Sequence, residues 1–188
     1  LNQTKEYLWS LGINSAEVGI ILGTGLGGLV GSIDTEIEVK YEDIPNFPIA
    51  TVEFHQGKLV YGNLSGKKVL AMVGRFHSYE GYSMSEITMP VRVMKELGIE
   101  NLIVSNAGGG VNLEYLKGDI MLLEDHINLL SGNPLIGPNL DEQGPRFPDM
   151  SEPYSKELNS LAMKSAELNN IGLRKGTYAA VSGPNLET

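Results

Sequence analysis

The stretch 74–82, which reads GRFHSYEGY, concentrates side chains that could bind an anionic, sugar-like ligand. Arg75 offers a planar cationic fork and His77 a second nitrogen donor, and two tyrosines add phenolic rings. These residue types together favour a site for a phosphate group and a sugar. The alternative is a surface turn in which Arg75 pairs with Glu80 and the tyrosines pack. Taken alone, the stretch supports both interpretations about equally.

Three apolar runs, each followed by a polar or glycine-rich loop, predict the strands that would position such a site. Residues 69–73 suit a buried strand that ends at the Arg75 loop, and residues 18–22 and 101–105 suit two more. The run at residues 18–22 is followed by GTGLGG, and the run at residues 101–105 is followed by NAGGG. Ligand-binding loops gather at the carboxyl edge of open α/β sheets, so we expect the three loops to converge there.

The glycine loop at residues 23–28 permits sharp turns and lets an anion approach backbone N–H groups. It also matches the GxGxxG dinucleotide fingerprint, with Asp43 about where a ribose-binding acid would stand. However, Gly31 and the extended-looking residues 36–41 leave little room for the crossover helix of that motif. The sequence therefore disfavours dinucleotide binding without excluding it.

Composition and charge narrow the class of protein. The 188 residues contain no cysteine, which excludes a disulfide framework, a thiolate nucleophile and a Cys-ligated metal. A formal net charge of -9 argues against nucleic acid or an anionic membrane as the partner. No segment has the apolar length of a membrane span, and the first residues do not resemble a signal peptide. We therefore expect a cytoplasmic protein that binds small ligands.

The remaining patterns predict further elements. Helices are expected at residues 4–11, 83–97 and 155–169, and strands at residues 51–54, 58–64, 118–123 and 178–181. His55 would lie at the tip between two of these strands. His126 would follow the strand that ends at residue 123, and we interpret it as structural because no metal-ligand partner lies near it. The long loop at residues 131–150 is typical of a functional or interface loop.

A series of motifs, in this order and at matching spacing, resembles the trimeric purine nucleoside phosphorylases. They are LGTGLGGL, IPNFP, HQGKLVYG, GRFHSYEGY, SNAGGG, GDIMLLEDHINL, DEQGPRFPDMSEPY and GPNLET. The resemblance covers almost the whole chain and is far more specific than one glycine loop. It implies a single domain over residues 1–188, with an α/β fold around a mixed, partly barrelled β-sheet flanked by helices. It also implies reversible phosphorolysis of purine ribonucleosides or deoxyribonucleosides to the free base and the α-sugar 1-phosphate.

The resemblance also implies a role for individual residues. Phosphate would be contacted by Thr24, His55, Arg75, His77 and the backbone N–H of Ala107. The nucleoside would be contacted by Tyr79, Phe147, Tyr178 and Glu187. His77 and Glu187 would be catalytic, and Phe147 would be lent to the site of a neighbouring subunit in a homotrimer.

The implied reaction requires no metal and no organic cofactor, because inorganic phosphate is the co-substrate and the nucleophile. Cleavage leaves positive charge on the sugar and negative charge on the purine, so catalysis would consist of holding phosphate under the anomeric carbon and stabilising the leaving base. Glu187 could accept a hydrogen bond from the N1–H of hypoxanthine or guanine, whereas adenine has no proton there. This predicts a preference for inosine and guanosine.

Some features depart from the family pattern, and other functions stay open. Leu186 stands where the family usually has an aromatic residue, so apolar packing would replace stacking beside the base. The family's chain also continues past the position of Thr188 with further base and ribose contacts, so these residues would hold most of a phosphate site but only part of a base site. The alternatives are a methylthioadenosine phosphorylase and a non-catalytic nucleoside- or phosphate-binding module.

Overall fold

The computed structural model describes residues 1–49 and 57–184, and these contain three α-helices and seven β-strands. The helices are α1 (Asn2–Ser10), α2 (Met84–Glu96) and α3 (Lys156–Leu168). The strands are β1 (Val18–Leu22), β2 (Asp34–Lys40), β3 (Lys58–Leu64), β4 (Lys67–Val73), β5 (Asn101–Val104), β6 (Ile120–Asn128) and β7 (Leu173–Ala180). The chain divides into two compact units, Leu1–Gly108 and Gly109–Thr188. That it acts as a single domain stays a prediction.

The first unit is built on a five-stranded sheet in the order β2-β3-β4-β1-β5. The neighbours β2, β3 and β4 are antiparallel, whereas β1 runs parallel to both β4 and β5. The predicted mixed α/β class is therefore confirmed. Within the described residues this sheet is open rather than closed into a barrel, because its outer strands β2 and β5 each have one neighbour.

Alternate residues of the central strands pack into two apolar cores, one on each face of the sheet. On one face, Leu70 and Met72 of β4 pack with Leu8 of α1 and Val93 of α2. On the other face lie the β4 residues of opposite parity, together with Ile33. This period of two is what a buried strand requires. Because both faces are covered, the ends of the central strands are firmly placed.

Helix α2 begins at the capping box that the sequence predicts. The backbone N–H of Ser83 donates to the Glu86 carboxylate at 2.8 Å, and the Glu86 N–H donates to the Ser83 hydroxyl at 3.3 Å. Two N–H groups that the helix itself cannot satisfy thus gain partners. Since Ser83 follows Tyr82 directly, α2 also fixes the far end of the 74–82 loop.

The first glycine loop leads into a 3₁₀ helix, Gly27–Ser32, and then into β2. A dinucleotide-binding unit would instead have a crossover helix that leads to a strand parallel to β1. Among the described strands, β2 lies at the far edge of the sheet and pairs with β3 alone. The structure therefore agrees with the sequence in disfavouring the dinucleotide interpretation.

The second unit contains a two-stranded parallel sheet, β6 and β7, together with α3. Strand β6 continues to Asn128, so the prediction that it ends before Glu124 was wrong. Strand β7 begins at Leu173, so Tyr178 lies within the strand rather than at its start. In both cases backbone pairing with a neighbouring strand extends the strand through polar residues, which side-chain pattern alone does not reveal.

Some predictions fall on residues that the structure does not describe. These are the strand at residues 51–54, His55, Leu186 and Glu187. In the described part of the chain, no helix is both long enough and apolar enough to cross a membrane.

Candidate active site

The carboxyl ends of β1, β4 and β5 lie side by side at one edge of the first unit's sheet. Leu22 of β1 is opposite Val73 of β4, and Ile21 is opposite Val104 of β5. The backbone N–H of Ser105 donates to the Ile21 carbonyl at 3.0 Å, which extends the β1–β5 pairing by one residue. The three loops that follow these strands are therefore neighbours, and the predicted convergence is confirmed.

The loop after β1 touches the loop after β5 through Gly23 and Ser105. The Gly23 N–H donates to the Ser105 hydroxyl at 3.1 Å, and that hydroxyl donates to the Ile21 carbonyl at 3.3 Å. A Cβ atom on Gly23 would lie 2.5 Å from the Ser105 carbonyl oxygen and 2.7 Å from the Asn106 Cα. Only glycine therefore allows the two loops to approach this closely.

Arg75 connects the loop after β4 to the loop after β5. Its Nη1–H group donates to the Ser105 carbonyl at 3.0 Å, and its Nε–H donates to His77 Nε2 at 3.2 Å. Two bonds to different loops fix the plane of the guanidinium group. A planar, oriented guanidinium is suited to two-point contact with a phosphate.

His77 is oriented by the carboxylate of Glu80, whose side chain is only 3% exposed. Glu80 Oε1 accepts from the His77 backbone N–H at 2.8 Å and also lies 2.8 Å from His77 Nδ1. Because Arg75 Nε can only donate, His77 Nε2 must accept, so the ring proton is on Nδ1 and is donated to Glu80. The Glu80 carboxylate thus holds both the backbone and the ring of His77, so the ring is oriented before a ligand binds.

Tyr79 stacks on the His77 ring, with ring centroids 4.6 Å apart and an interplanar angle of 13°. Burial, with a smaller contribution from the Glu80 charge, raises the pKa of the Tyr79 phenol. The phenol is therefore neutral at physiological pH and has an O–H to donate. The side chain is also 46% exposed, so this donor is accessible.

Two further predicted phosphate contacts of the first unit, Thr24 and Ala107, are exposed at the same edge of the sheet. Thr24 follows the buried Gly23, and Ala107 follows Asn106 in the loop after β5. The structure thus gathers one set of predicted site residues at the ends of three adjacent strands: Thr24, Arg75, His77, Tyr79 and Ala107. Their contacts with a ligand stay predictions.

The predicted nucleoside residues Phe147 and Tyr178 belong to the second unit. Phe147 lies in the loop between β6 and α3 and is 87% exposed. Tyr178 lies in β7, opposite His126 of β6. The His126 ring packs edge-on against Tyr154 with centroids 5.8 Å apart, and its buried Nδ1 has no hydrogen-bond partner among the described residues.

Sequence reasoning missed the roles of Glu80 and Ser105. The sequence indicates Glu80 only as a partner for Arg75, although its spacing of three from His77 is that of a capping pair, and the structure shows the Glu80 carboxylate accepting from the His77 backbone N–H. Ser105 was assigned to the end of a strand. A hydroxyl residue that ends an apolar run before a glycine loop was the available signal.

The described residues contain no group of three or more His, Cys, Asp or Glu side chains that could hold a metal ion. The donors gathered at the sheet edge are instead N–H and O–H groups from three loops, together with one guanidinium. This donor set suits an oxyanion rather than a cation.

Comparison with known proteins identifies the family. Residues 17–188 match the Phosphorylase superfamily. Purine nucleoside phosphorylase 1 of Bacillus subtilis (strain 168) is 58% identical over 174 residues, which cover 93% of this chain and 64% of that protein. Purine nucleoside phosphorylase 1 of Geobacillus stearothermophilus is 54% identical over 190 residues, covering 100% of this chain and 69% of that protein.

Solved structures agree with the sequence matches. The crystal structure of Schistosoma mansoni purine nucleoside phosphorylase in complex with adenosine superposes with a TM-score of 0.92 at 42% identity, covering 100% of this chain and 67% of that one. The chain thus spans about two thirds of the length of the relatives that it matches. The identities extend over nearly the whole chain, and the match in fold is equally complete. The chain belongs to the purine nucleoside phosphorylase family.

Proposed function

We propose that this chain belongs to a pentosyltransferase that cleaves purine ribonucleosides or deoxyribonucleosides by reversible phosphorolysis. The products are the free purine base and α-(deoxy)ribose 1-phosphate. The observation that carries the proposal is the fixed Arg75–His77 pair, set among backbone N–H groups at the ends of three adjacent strands. Membership of the family supports the same reaction.

In this proposal the sheet edge binds inorganic phosphate. Arg75 supplies a two-point, charge-assisted contact, and each such bond contributes about 1.5–3 kcal/mol. His77 contacts the phosphate and is held in place by Glu80 at Nδ1 and by Arg75 at Nε2. The hydroxyl of Thr24 and the backbone N–H of Ala107 complete the contacts, and His55, which lies outside the described residues, adds another.

The proposed nucleoside contacts are those that the family resemblance implies. Tyr79 and Tyr178 contact the ribose, and Glu187 contacts the purine. Phe147 contacts the nucleoside of a neighbouring subunit in a homotrimer, and its exposed ring supports this because an isolated chain gains nothing by exposing an aromatic residue.

The proposed mechanism follows from this arrangement. Phosphate attacks the anomeric carbon from the face opposite the base, the glycosidic bond breaks, and its electron pair goes to the purine. Attack from the opposite face inverts the configuration and gives the α-sugar phosphate. Glu187 stabilises the departing base through the purine N1–H, and His77 stays beside the phosphate.

The reaction is proposed to need no metal and no organic cofactor, since phosphate supplies both the nucleophile and a counter-charge for the developing sugar cation. Purine nucleoside and phosphate are the proposed small-molecule partners, with neither nucleic acid nor membrane as a partner. The net charge of -9 supports this choice, and the lack of cysteine supports a cytoplasmic location.

The decisive experiment incubates the intact protein with inosine in the presence and absence of inorganic phosphate. Hypoxanthine release is measured by chromatography and ribose 1-phosphate by phosphorus NMR. We expect release that depends on phosphate and yields the sugar phosphate. Release of free ribose without phosphate would contradict phosphorolysis, and binding of inosine without any product would indicate a non-catalytic module.

The proposed preference for inosine and guanosine over adenosine has its own test. An adenine N1 facing the Glu187 carboxylate would leave two acceptors opposed, which costs a few kcal/mol, or roughly a hundredfold in rate. A relative has been solved with adenosine bound, so kcat/KM for each nucleoside must be compared rather than binding alone. Glu187→Ala should remove most of the inosine turnover and leave phosphate binding intact. Equal wild-type values for adenosine and inosine would contradict the assignment of Glu187.

A further inference from the structure

The segment that follows β2, residues 41–48 with the sequence YEDIPNFP, has no part in the proposed reaction but lies against the loop that carries Arg75 and His77. Tyr41 is only 1% exposed, and its hydroxyl donates to the Gly74 carbonyl at 2.8 Å. Gly74 is the residue at which the chain leaves β4, and it has a φ of 98°. The hydroxyl of Tyr41 thus holds the peptide from which Arg75 extends.

The side chain between Arg75 and His77 packs on the same segment. Phe76 is 6% exposed, and its ring centroid lies 5.0 Å from that of Tyr41 and 6.2 Å from that of Phe47. The two polar residues of the loop are therefore separated by a buried aromatic anchor. Movement of the segment would move that anchor, and with it the residues on either side.

The segment is itself fixed to other parts of the first unit. The Thr4 hydroxyl of α1, which is fully buried, donates to the Pro45 carbonyl at 2.8 Å. Directly after the segment, the Tyr82 hydroxyl accepts from the Ile49 N–H at 3.1 Å and donates to the Ile49 carbonyl at 2.9 Å. Helix α1 therefore holds the segment on one side, and the 74–82 loop holds it on the other.

We propose that Tyr41 is a positioning residue of the phosphate site, acting through the Gly74 carbonyl and the Phe76 ring to set the directions of Arg75 and His77. The role rests on the proposed function, because it assumes that these two side chains bind phosphate. The competing interpretation is that Tyr41 is only a core residue whose loss would lower stability without changing the site.

A matched pair of variants separates the two interpretations. Tyr61 of β3 is 5% exposed, and its hydroxyl donates to the Ser15 carbonyl at 2.9 Å, away from the loop. Tyr41→Phe and Tyr61→Phe each remove one hydroxyl and one bond to a backbone carbonyl. The two variants should therefore lose similar amounts of stability, as measured by urea unfolding.

Phosphate binding should respond to only one of them. In the intact protein, calorimetric titration with inorganic phosphate should give a Kd about three- to tenfold weaker for Tyr41→Phe, the range expected from one net hydrogen bond. The KM for phosphate should rise in proportion, while kcat at saturating phosphate stays within about twofold. Tyr61→Phe should bind phosphate as the wild type does. Equal phosphate affinities in the two variants overturn the role of Tyr41.

Amide hydrogen exchange tests the same role without relying on catalysis. Residues 74–78 should exchange faster in Tyr41→Phe than in Tyr61→Phe, and equal exchange overturns the inference. A wild-type protein that binds no inorganic phosphate overturns the proposed function and leaves Tyr41 no phosphate site to position. A wild-type protein that binds phosphate, alongside a Tyr41→Phe variant that binds it equally well, overturns the role of Tyr41 alone.

Discussion

The two compact units of the chain differ in how much apolar surface they bury. Among the described residues, every buried hydrophobic side chain except Ala166 belongs to residues 1–108. In the second unit large apolar side chains are exposed, with Leu113 at 100% and Val111 at 88%. The first unit thus combines its own core with a preassembled cluster of polar groups. The second unit presents candidate nucleoside contacts without a comparable core.

This contrast separates two ways of making a binding site. In the first unit the strands are fixed by cores on both faces, so the loops at their ends are fixed before any ligand arrives. In the second unit two parallel strands and one helix bury little, and so small a sheet is marginal in water without further packing. The phosphate site should therefore depend on packing within its own unit. The nucleoside contacts in the second unit should depend on packing that this unit does not supply by itself.

The largest expected effect comes from separating the two units. Residues 1–108 expressed alone should keep far-UV circular dichroism and unfold cooperatively in urea, because their core is internal. Residues 109–188 expressed alone should show no cooperative transition. A cooperative transition in the second fragment, or none in the first, would contradict the claim that only the first unit has a sufficient core of its own.

Removal of the Arg75 fork should have the next largest effect. Arg75→Ala should raise the KM for phosphate or arsenate by roughly ten- to several-hundredfold, because charge-assisted bonds of about 1.5–3 kcal/mol each are lost. Arg75→Lys should recover only part of this, since it restores the charge but not the fork. The KM for inosine serves as the internal control. Unchanged phosphate kinetics in both variants would show that the 74–82 loop has been misinterpreted.

A methyl group at Gly23 should disturb the same site through the backbone. Gly23→Ala should lower kcat/KM for phosphate by roughly ten- to a hundredfold, because the added Cβ meets the Ser105 and Asn106 backbone and overpacking costs about 1–3 kcal/mol. Gly28→Ala is the matched control, since a Cβ there meets nothing within 4 Å. If both variants behave alike, the close contact between the two loops is not needed for activity.

The second unit should respond differently. Phe147→Ala should raise the KM for nucleoside by about tenfold, the loss of one buried aromatic contact, and should leave the KM for phosphate unchanged. Light scattering of the wild type checks the proposed trimer. An active wild-type monomer, or a rise in the phosphate KM equal to that for nucleoside, would contradict the proposal that Phe147 contacts the nucleoside of a neighbouring subunit.

The smallest effect is expected at Glu80. Glu80→Gln retains an oxygen that can accept from His77 but removes the negative charge, which weakens both bonds that hold His77 in place. The KM for phosphate should rise by roughly three- to tenfold, with the KM for inosine unchanged. Glu80→Ala, which also removes the orienting bond, should have the larger effect. Equal effects of the two variants would mean that the charge on Glu80 matters and that its orienting bond to His77 does not.

The sequence predicts much of the first unit, because its strands are short, apolar and bounded by glycine loops. The run at residues 18–22 is the observed β1, and the Ser83–Glu86 pattern is the observed helix start. In the second unit the sequence is less informative. Strands β6 and β7 extend through polar residues such as Asp125 and Arg174, where only pairing with a neighbour reveals the strand.

The sequence predicts the candidate site in part, as it predicts the fold in part. Residue type and position in a loop make Arg75 and His77 candidates for binding an anion, but taken alone they fit a surface turn equally well, and the resemblance to a family favours the site. The residues that orient them are harder to find, since the carboxylate of Glu80, the carbonyl of Ser105 and the hydroxyl of Tyr41 become relevant only through distances set by the fold. Contacts between loops that are distant in the sequence cannot be inferred from local sequence.

The hydroxyl of Ser105 limits which residues this position can accept. It receives a hydrogen bond from Gly23 and gives one to Ile21, so a single oxygen serves both partners. Alanine would leave the Gly23 N–H without this acceptor, although the Ile21 carbonyl would keep its bond from the backbone N–H of residue 105. A thiol would bond to each partner only weakly, and an amide would be too large for the gap. Threonine alone could do both tasks, provided that its extra methyl group fits. Position 105 should therefore tolerate two residues in a library of all twenty.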